Sequence, residues 1–172
     1  MEKIITNDYN LKEEDITEIV TRVKVLLINS NNELLLGYSN NEYHCLGGHV
    51  EDGESLIDTI NREVSEEAGI NLDILEAEPF ACSIGYYKNW PSIGKNRKIE
   101  IYYYEIKSDV KPDLEKTKRT ESEKKNNFEL RYVPMDEVEN EFITNAEKYG
   151  DEHAIAKEML KVFKVYKNQN NK

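Results

Sequence analysis

The chain has 172 residues, of which 38% are hydrophobic and 33% charged, and its formal net charge is −11. That length fits one domain with a substantial core. The acidic balance excludes a general polyanion binder with a basic face, and no run of about 18 apolar residues could form a transmembrane helix. The first eight residues carry no apolar signal core, so a secretory leader is not expected. Cys45 and Cys82 lie far apart without metal-type spacing and are expected as two reduced thiols in a cytoplasmic protein. If so acidic a protein handles phosphates, a divalent cation has to bridge its carboxylates to the ligand's oxygens.

Residues 1–17 are polar and irregular, with at most a short strand at the start. Residues 18–28 are rich in β-branched side chains and predict a strand. An Asn-rich turn at 29–32 leads to a second strand at 33–38, making a hairpin. A short strand is expected at 44–48, ending in Gly47-Gly48, and an acidic loop follows at 50–54. Residues 55–68 predict a helix closed by Gly69. Strand-like runs continue from 72 to 87, and 89–94 form a loop. Residues 97–107 alternate strictly, as a strand between two packed surfaces does. Residues 108–127 are polar and rich in lysine and glutamate, and are expected to be a mobile loop. A strand at 128–133 is ended by Pro134, and a short helix is expected at 136–141. Ile155, Met159, Val162, Phe163 and Tyr166 recur at helical spacing within an amphipathic helix over 151–166, and 168–172 form a frayed tail. The class is mixed α+β, a sheet packed by helices. The reading is one domain over 1–172, with 1–17 and 168–172 as extensions.

The chemistry-bearing stretch is residues 47–70, GGHVEDGESLIDTINREVSEEAGI. Glu63, Glu66 and Glu67 stand at i, i+3 and i+4, so they project from one side of the helix. Ile57, Ile60, Val64 and Ala68 form an adjacent apolar stripe. Three close carboxylates repel one another, and no lysine is interleaved from Ser55 to Ala68. Such oxygen ligands suit hard cations such as Mg²⁺ or Mn²⁺, although a solvated acidic face has the same pattern. The paired glycines favour the ligand reading. They permit close approach of backbone to a ligand, and the Gly47 carbonyl can join a metal shell. Arg62 cannot be a ligand, but it can hold a neighbouring carboxylate in a bidentate pair, with Glu54 as the natural partner.

This pattern resembles the Nudix box: Gly, five residues, Glu, seven residues, then Arg-Glu-aliphatic-any-Glu-Glu-any-Gly-aliphatic. Gly48, Glu54, Arg62, Glu63, Val64, Glu66, Glu67, Gly69 and Ile70 fill every fixed position. Chance would supply such a match on the order of once in 10⁹ starting positions, so the resemblance is specific. Residues 129–137 are similar to the family's late strand–proline–helix segment. The resemblance implies an α/β/α sandwich with a mixed sheet between helices. It implies Glu63, Glu66 and Glu67 as metal ligands, with Glu66 or Glu67 doubling as base, a backbone carbonyl from Gly47, and Arg62–Glu54 as the orienting pair. The implied reaction is water attack on a diphosphate joined to a group X, with Mg²⁺ or Mn²⁺ as cofactor. A further carboxylate from a distant loop is common in the family, and Glu121 and Glu123 are candidates.

For the X group the residues offer less. Trp90, Tyr86 and Tyr87 could give an aromatic face, though most tyrosines on alternating strands are packing residues. His49, in the variable stretch of the box, could touch phosphate or be a plain loop histidine. Gly85 stands where ADP-ribose hydrolases tend to have proline. Tyr86 and Tyr87 stand where dinucleoside-polyphosphate hydrolases tend to have tyrosine. The expected substrate is a nucleoside triphosphate or related nucleotide, with neither nucleic acid nor membrane as partner. Dimers are common among similar proteins, so a homodimer is admitted, but the sequence carries no sign of its own for one. Two alternatives share the fold: a non-catalytic nucleotide sensor, and a prenyl diphosphate isomerase, which would need a catalytic cysteine.

Overall fold

The computed structural model describes residues 1–118, 128–149 and 154–170. In chain order its elements are β1 (Glu2–Thr6), a 3-10 turn at Glu13–Asp15, β2 (Glu18–Ile28), β3 (Glu33–Ser39), β4 (Glu42–Cys45), α1 (Leu56–Ala68), β5 (Ala81–Tyr87), β6 (Arg97–Lys107), β7 (Glu129–Pro134), α2 (Val138–Tyr149) and α3 (Ala154–Asn170). The strands form one mixed sheet in the order β1-β5-β6-β2-β3-β4, with β7 also paired to β3. β1 runs parallel to β5, and β2 runs parallel to β6 along its whole length, from Glu18 opposite Arg97 to Ile28 opposite Lys107. The polar N-terminal stretch therefore supplies an edge strand. No helix among the described residues is long and apolar enough to cross a membrane.

The sheet is packed on both faces, which is why its central strands alternate between two apolar sets. On β2, Val23, Val25 and Leu27 join a core with Ile60, Val64 and Ala68 of α1. Leu26 and Ile28 join the opposite core with Phe142 of α2 and Met159, Val162 and Phe163 of α3. β6 divides likewise, Tyr104 to the first core and Tyr103 to the second. This is the α/β/α sandwich, with the sheet between helices.

Two differences from the sequence expectation bear on the site. The strand expected at 44–48 is placed earlier, at Glu42–Cys45, where it pairs with β3. The chain then crosses to the side of β2: Val25 N–H donates to Leu46 O (2.9 Å), Val23 N–H to Gly48 O (3.0 Å) and Val50 N–H to Thr21 O (3.0 Å). Those bonds fix the paired glycines against β2. The helix expected at 136–141 starts later and runs on to Tyr149, because Phe142 and Asn145 keep one face buried beyond the expected end.

Candidate active site

α1 begins with a capping box. Ser55 Oγ accepts from Asp58 N–H at 3.1 Å, and Ser55 N–H donates back to Asp58 Oδ2 at 3.1 Å. It ends at Gly69 in the left-handed conformation, φ 66°. With Ile60, Val64 and Ala68 fully buried, the helix has only one rotation open to it. That rotation turns Glu63, Glu66 and Glu67 toward the Gly47-Gly48 crossing. Residues 113–118 close over the far end of the helix: Asp113 N–H bonds Ala68 O and Lys118 N–H bonds Glu66 O, both at 2.9 Å.

Gly47 is required by the backbone, and Gly48 by the closeness of Glu63. Gly47 has φ 121°, and a Cβ on it would lie 2.4 Å from Val23 O. A Cβ on Gly48 would lie 2.3 Å from Glu63 Oε1. Bare backbone is what allows the loop to touch the glutamates. Glu67 is almost fully buried, and its Oε2 accepts from Gly47 N–H at 2.8 Å.

Arg62 organises the rest. Its Nε donates to Glu54 Oε1 (2.7 Å) and its Nη2 to Glu54 Oε2 (3.0 Å), the bidentate pair expected from the sequence. Nη1 reaches Glu63 Oε1 (2.9 Å) and Glu66 Oε2 (3.3 Å), and Nη2 also donates to the His49 carbonyl (2.9 Å). The Arg62 guanidinium holds the Glu54 carboxyl down at about 2, with help from Glu51 N–H and Thr59. Glu63 moves the other way: burial raises its pKa, and Arg62 only partly offsets that.

These groups line a groove of about 440 Å³ together with Arg22, Lys24, His49, Glu51 and Lys118. Gly47, His49, Arg62, Glu63, Glu66 and Glu67 are thus brought together, with Glu54 behind Arg62. The acceptors are all oxygens, and they surround an open space rather than closing on one another. That donor set fits a hard divalent cation. Among the described residues no three acidic, histidine or cysteine side chains already converge as a metal cage. The backbone carbonyl and bound water or substrate oxygens would complete the shell.

Tyr86, Tyr87 and Trp90 are not in the groove's lining. Tyr86 donates to Glu13 Oε1 (2.5 Å), Tyr87 folds back over Gly85, and Trp90 packs at a tilt against Tyr87 and under the Arg97 guanidinium, 4.4 Å from its ring. Glu121 and Glu123 lie outside the described residues. Sequence reasoning missed Arg22, Lys24 and Lys118. The signal for the first two was present: cations at alternate positions of β2, on the face that buries Leu26 and Ile28 further along.

A model of the NUDIX domain matches residues 19–154. The chain belongs to the Nudix family. With its box intact, it is a Nudix hydrolase acting on pyrophosphate bonds. No curated protein sequence matches it. Among solved structures it is similar to a MutT described for the fish pathogen Aliivibrio salmonicida and for Vibrio cholerae, at 17% identity and TM-score 0.51, covering 84% of this chain and 94% of that one. The mutator MutT protein of Bacillus halodurans is similar at 17% identity and TM-score 0.52, over 77% and 84% of the two chains. A Caenorhabditis elegans Ap4A hydrolase in a binary complex is similar at 16% identity and TM-score 0.53, over 88% and 98%. At such identities the likeness establishes a shared Nudix fold. Gly47–Ile70 lies within the matched residues.

Proposed function

We propose that this chain hydrolyses the diphosphate linkage of a nucleoside diphosphate joined to a further group, with a nucleoside triphosphate or related nucleotide as substrate and Mg²⁺ or Mn²⁺ as cofactor. The observation that carries this reading is the groove in which Arg62 holds Glu54, Glu63 and Glu66 while Glu67 grips the Gly47 amide. Gly47 O, Glu63, Glu66 and Glu67 would hold the cation. A divalent ion held there would lower the pKa of bound water and would neutralise charge gathering on the diphosphate. Glu67, buried and bonded to backbone, fixes the loop. Glu66 is more open, with its side chain 36% exposed and only a 3.3 Å contact to Arg62. Of the two it is the better placed to accept the proton of an attacking water. Arg62 stays charged and keeps the carboxylates apart in a fixed array.

The isomerase alternative needs a reactive thiol. Cys45 is fully buried and its pKa is pushed up to about 12 by that burial. Cys82 is buried and likewise raised. Neither offers a thiolate. Both are unpaired, which supports a reducing, cytoplasmic setting. The chain is read as one Nudix unit.

The test is release of phosphate and pyrophosphate across nucleoside triphosphates, dinucleoside polyphosphates, nucleotide sugars and ADP-ribose, with Mg²⁺, Mn²⁺ or EDTA. Turnover is expected with metal and is abolished by EDTA. Glu66→Gln and Glu67→Gln should each lower kcat by about 10²-fold or more, as loss of base or metal positioning does. Near-normal rates in both variants would sink the site assignment. Tight nucleotide binding without turnover on any compound would replace the hydrolase with a sensor.

A further inference from the structure

β2 presents Arg22 and Lys24 on one face, both half-buried, just before Leu26 and Ile28 of the same face enter the core. Among the described residues neither cation hydrogen-bonds a carboxylate. The bonds of Arg22 go to His49 Nε2, at 3.2 Å from Nε and 3.1 Å from Nη2. The Lys24 ammonium donates to two backbone carbonyls, Cys45 O at 2.8 Å and Gly47 O. Each has a carboxylate within electrostatic reach but not hydrogen-bonded to it, Glu158 for Arg22 and Glu63 for Lys24, so both keep their donors on neutral acceptors and can turn them to an incoming anion. Arg22, Lys24 and Glu67 also line a second cavity of about 350 Å³, walled by Ile101, Tyr103, Glu158 and Met159, which adjoins the catalytic groove. The two cations therefore stand at the junction where a substrate's phosphates would pass between groove and cavity.

Lys24 has a second peculiarity. The Gly47 carbonyl that it caps is the oxygen assigned above to the metal. An ammonium on that oxygen and a divalent ion on that oxygen are like charges in near contact, so the two occupancies oppose each other. Lysine is suited to an exchange of this kind, being a compact point charge on a flexible four-carbon stem. We propose that Lys24 is a displaceable internal cation. It caps the Gly47 carbonyl until a divalent ion takes that oxygen, then turns with Arg22 onto the diphosphate of the substrate. The proposal rests on the hydrolase reading of the site. It links metal arrival to assembly of the phosphate grip, since the charge released from the carbonyl becomes available when substrate must be held.

The test is Mn²⁺ titration of nucleotide-free protein, following free Mn²⁺ by electron paramagnetic resonance. Lys24→Met removes the charge at similar length and should tighten Mn²⁺ binding about tenfold or more, because the carbonyl no longer has to be vacated. Arg22→Met removes a charge from the same strand face without touching the carbonyl, and should change Mn²⁺ affinity less than about threefold. With saturating metal, both variants should raise KM about tenfold through loss of a charge-assisted phosphate contact. On wild-type protein, the side-chain Cε resonance of Lys24 should shift on saturation with Mg²⁺. Unchanged or weaker Mn²⁺ binding in Lys24→Met, or equal tightening in Arg22→Met, would overturn the exchange. So would a Lys24 resonance indifferent to bound Mg²⁺, a readout that needs no variant to fold. Neither the Mn²⁺ titration nor the resonance depends on turnover, so a failed substrate panel would count against the hydrolase reading and leave the exchange to be judged separately.

Discussion

Arg62 shows how much one residue can fix. Its guanidinium serves both oxygens of Glu54, one oxygen each of Glu63 and Glu66, and the His49 carbonyl. A lysine carries the same charge but no planar fork. Arg62→Lys is therefore expected to fold and to lose about 10–100-fold in metal affinity or activity, the usual cost of disturbing the partners of metal ligands. Wild-type Mn²⁺ affinity and kcat together in this variant would show that charge alone suffices. The pair with Glu54 also sets a pH dependence. The folded-state pKa of Glu54 is depressed to about 2, mainly by Arg62. Its contribution to stability is thus present above the unfolded-state value and is lost as pH falls toward the folded one. Urea midpoints of wild type and Glu54→Gln should differ most above about pH 5 and converge as pH approaches about 2. A constant gap across that range would mean that the pair contributes through packing rather than charge.

At the scale of elements, α1 was legible in full. Its apolar stripe, its acidic face and Gly69 are all local signals, and the structure places Ile60, Val64 and Ala68 in the core as that stripe required. The crossing from β4 to β2 was not legible. It depends on hydrogen bonds from Val23, Val25 and Val50 to residues over 20 positions away in sequence, and no local pattern encodes such pairings. The alternation that puts Arg22 and Lys24 on the face of Leu26 and Ile28 is a local signal, but the two carbonyls that the crossing brings to Lys24 are not. The contact between elements can be tested at Gly48. A methyl group there would sit 2.3 Å from Glu63 Oε1 and 2.6 Å from Cδ. Glu63 lies at the end of a side chain that can swing away, so Gly48→Ala should fold with a melting temperature near wild type. The displaced carboxylate should weaken Mn²⁺ binding by about tenfold or more. Unaltered Mn²⁺ affinity would show that Glu63 is not held at the metal by this contact.

For the molecule as a whole the governing quantity is charge. The formal net charge is −11, and the α1 glutamates concentrate part of it in one groove. Self-repulsion of that kind destabilises the compact state, and Arg62 and Lys24 relieve it only locally. The unfolded chain has no such array, so a cation that binds the groove stabilises the folded form alone. At a concentration about 100 times its Kd, that linkage is worth about 2.7 kcal/mol. In a domain of this size each kcal/mol moves Tm by about 2–4 °C, so Mg²⁺ near that concentration should raise Tm by about 5–10 °C. EDTA should reverse the rise, and Glu63→Gln or Glu67→Gln should reduce it to a small fraction. NaCl at matched ionic strength separates site binding from general screening, because screening acts on the whole surface and is indifferent to those two glutamates. If NaCl reproduced the full shift, or if both glutamine variants retained it, the groove would be an acidic surface under ordinary screening and the metal would have to be sought elsewhere.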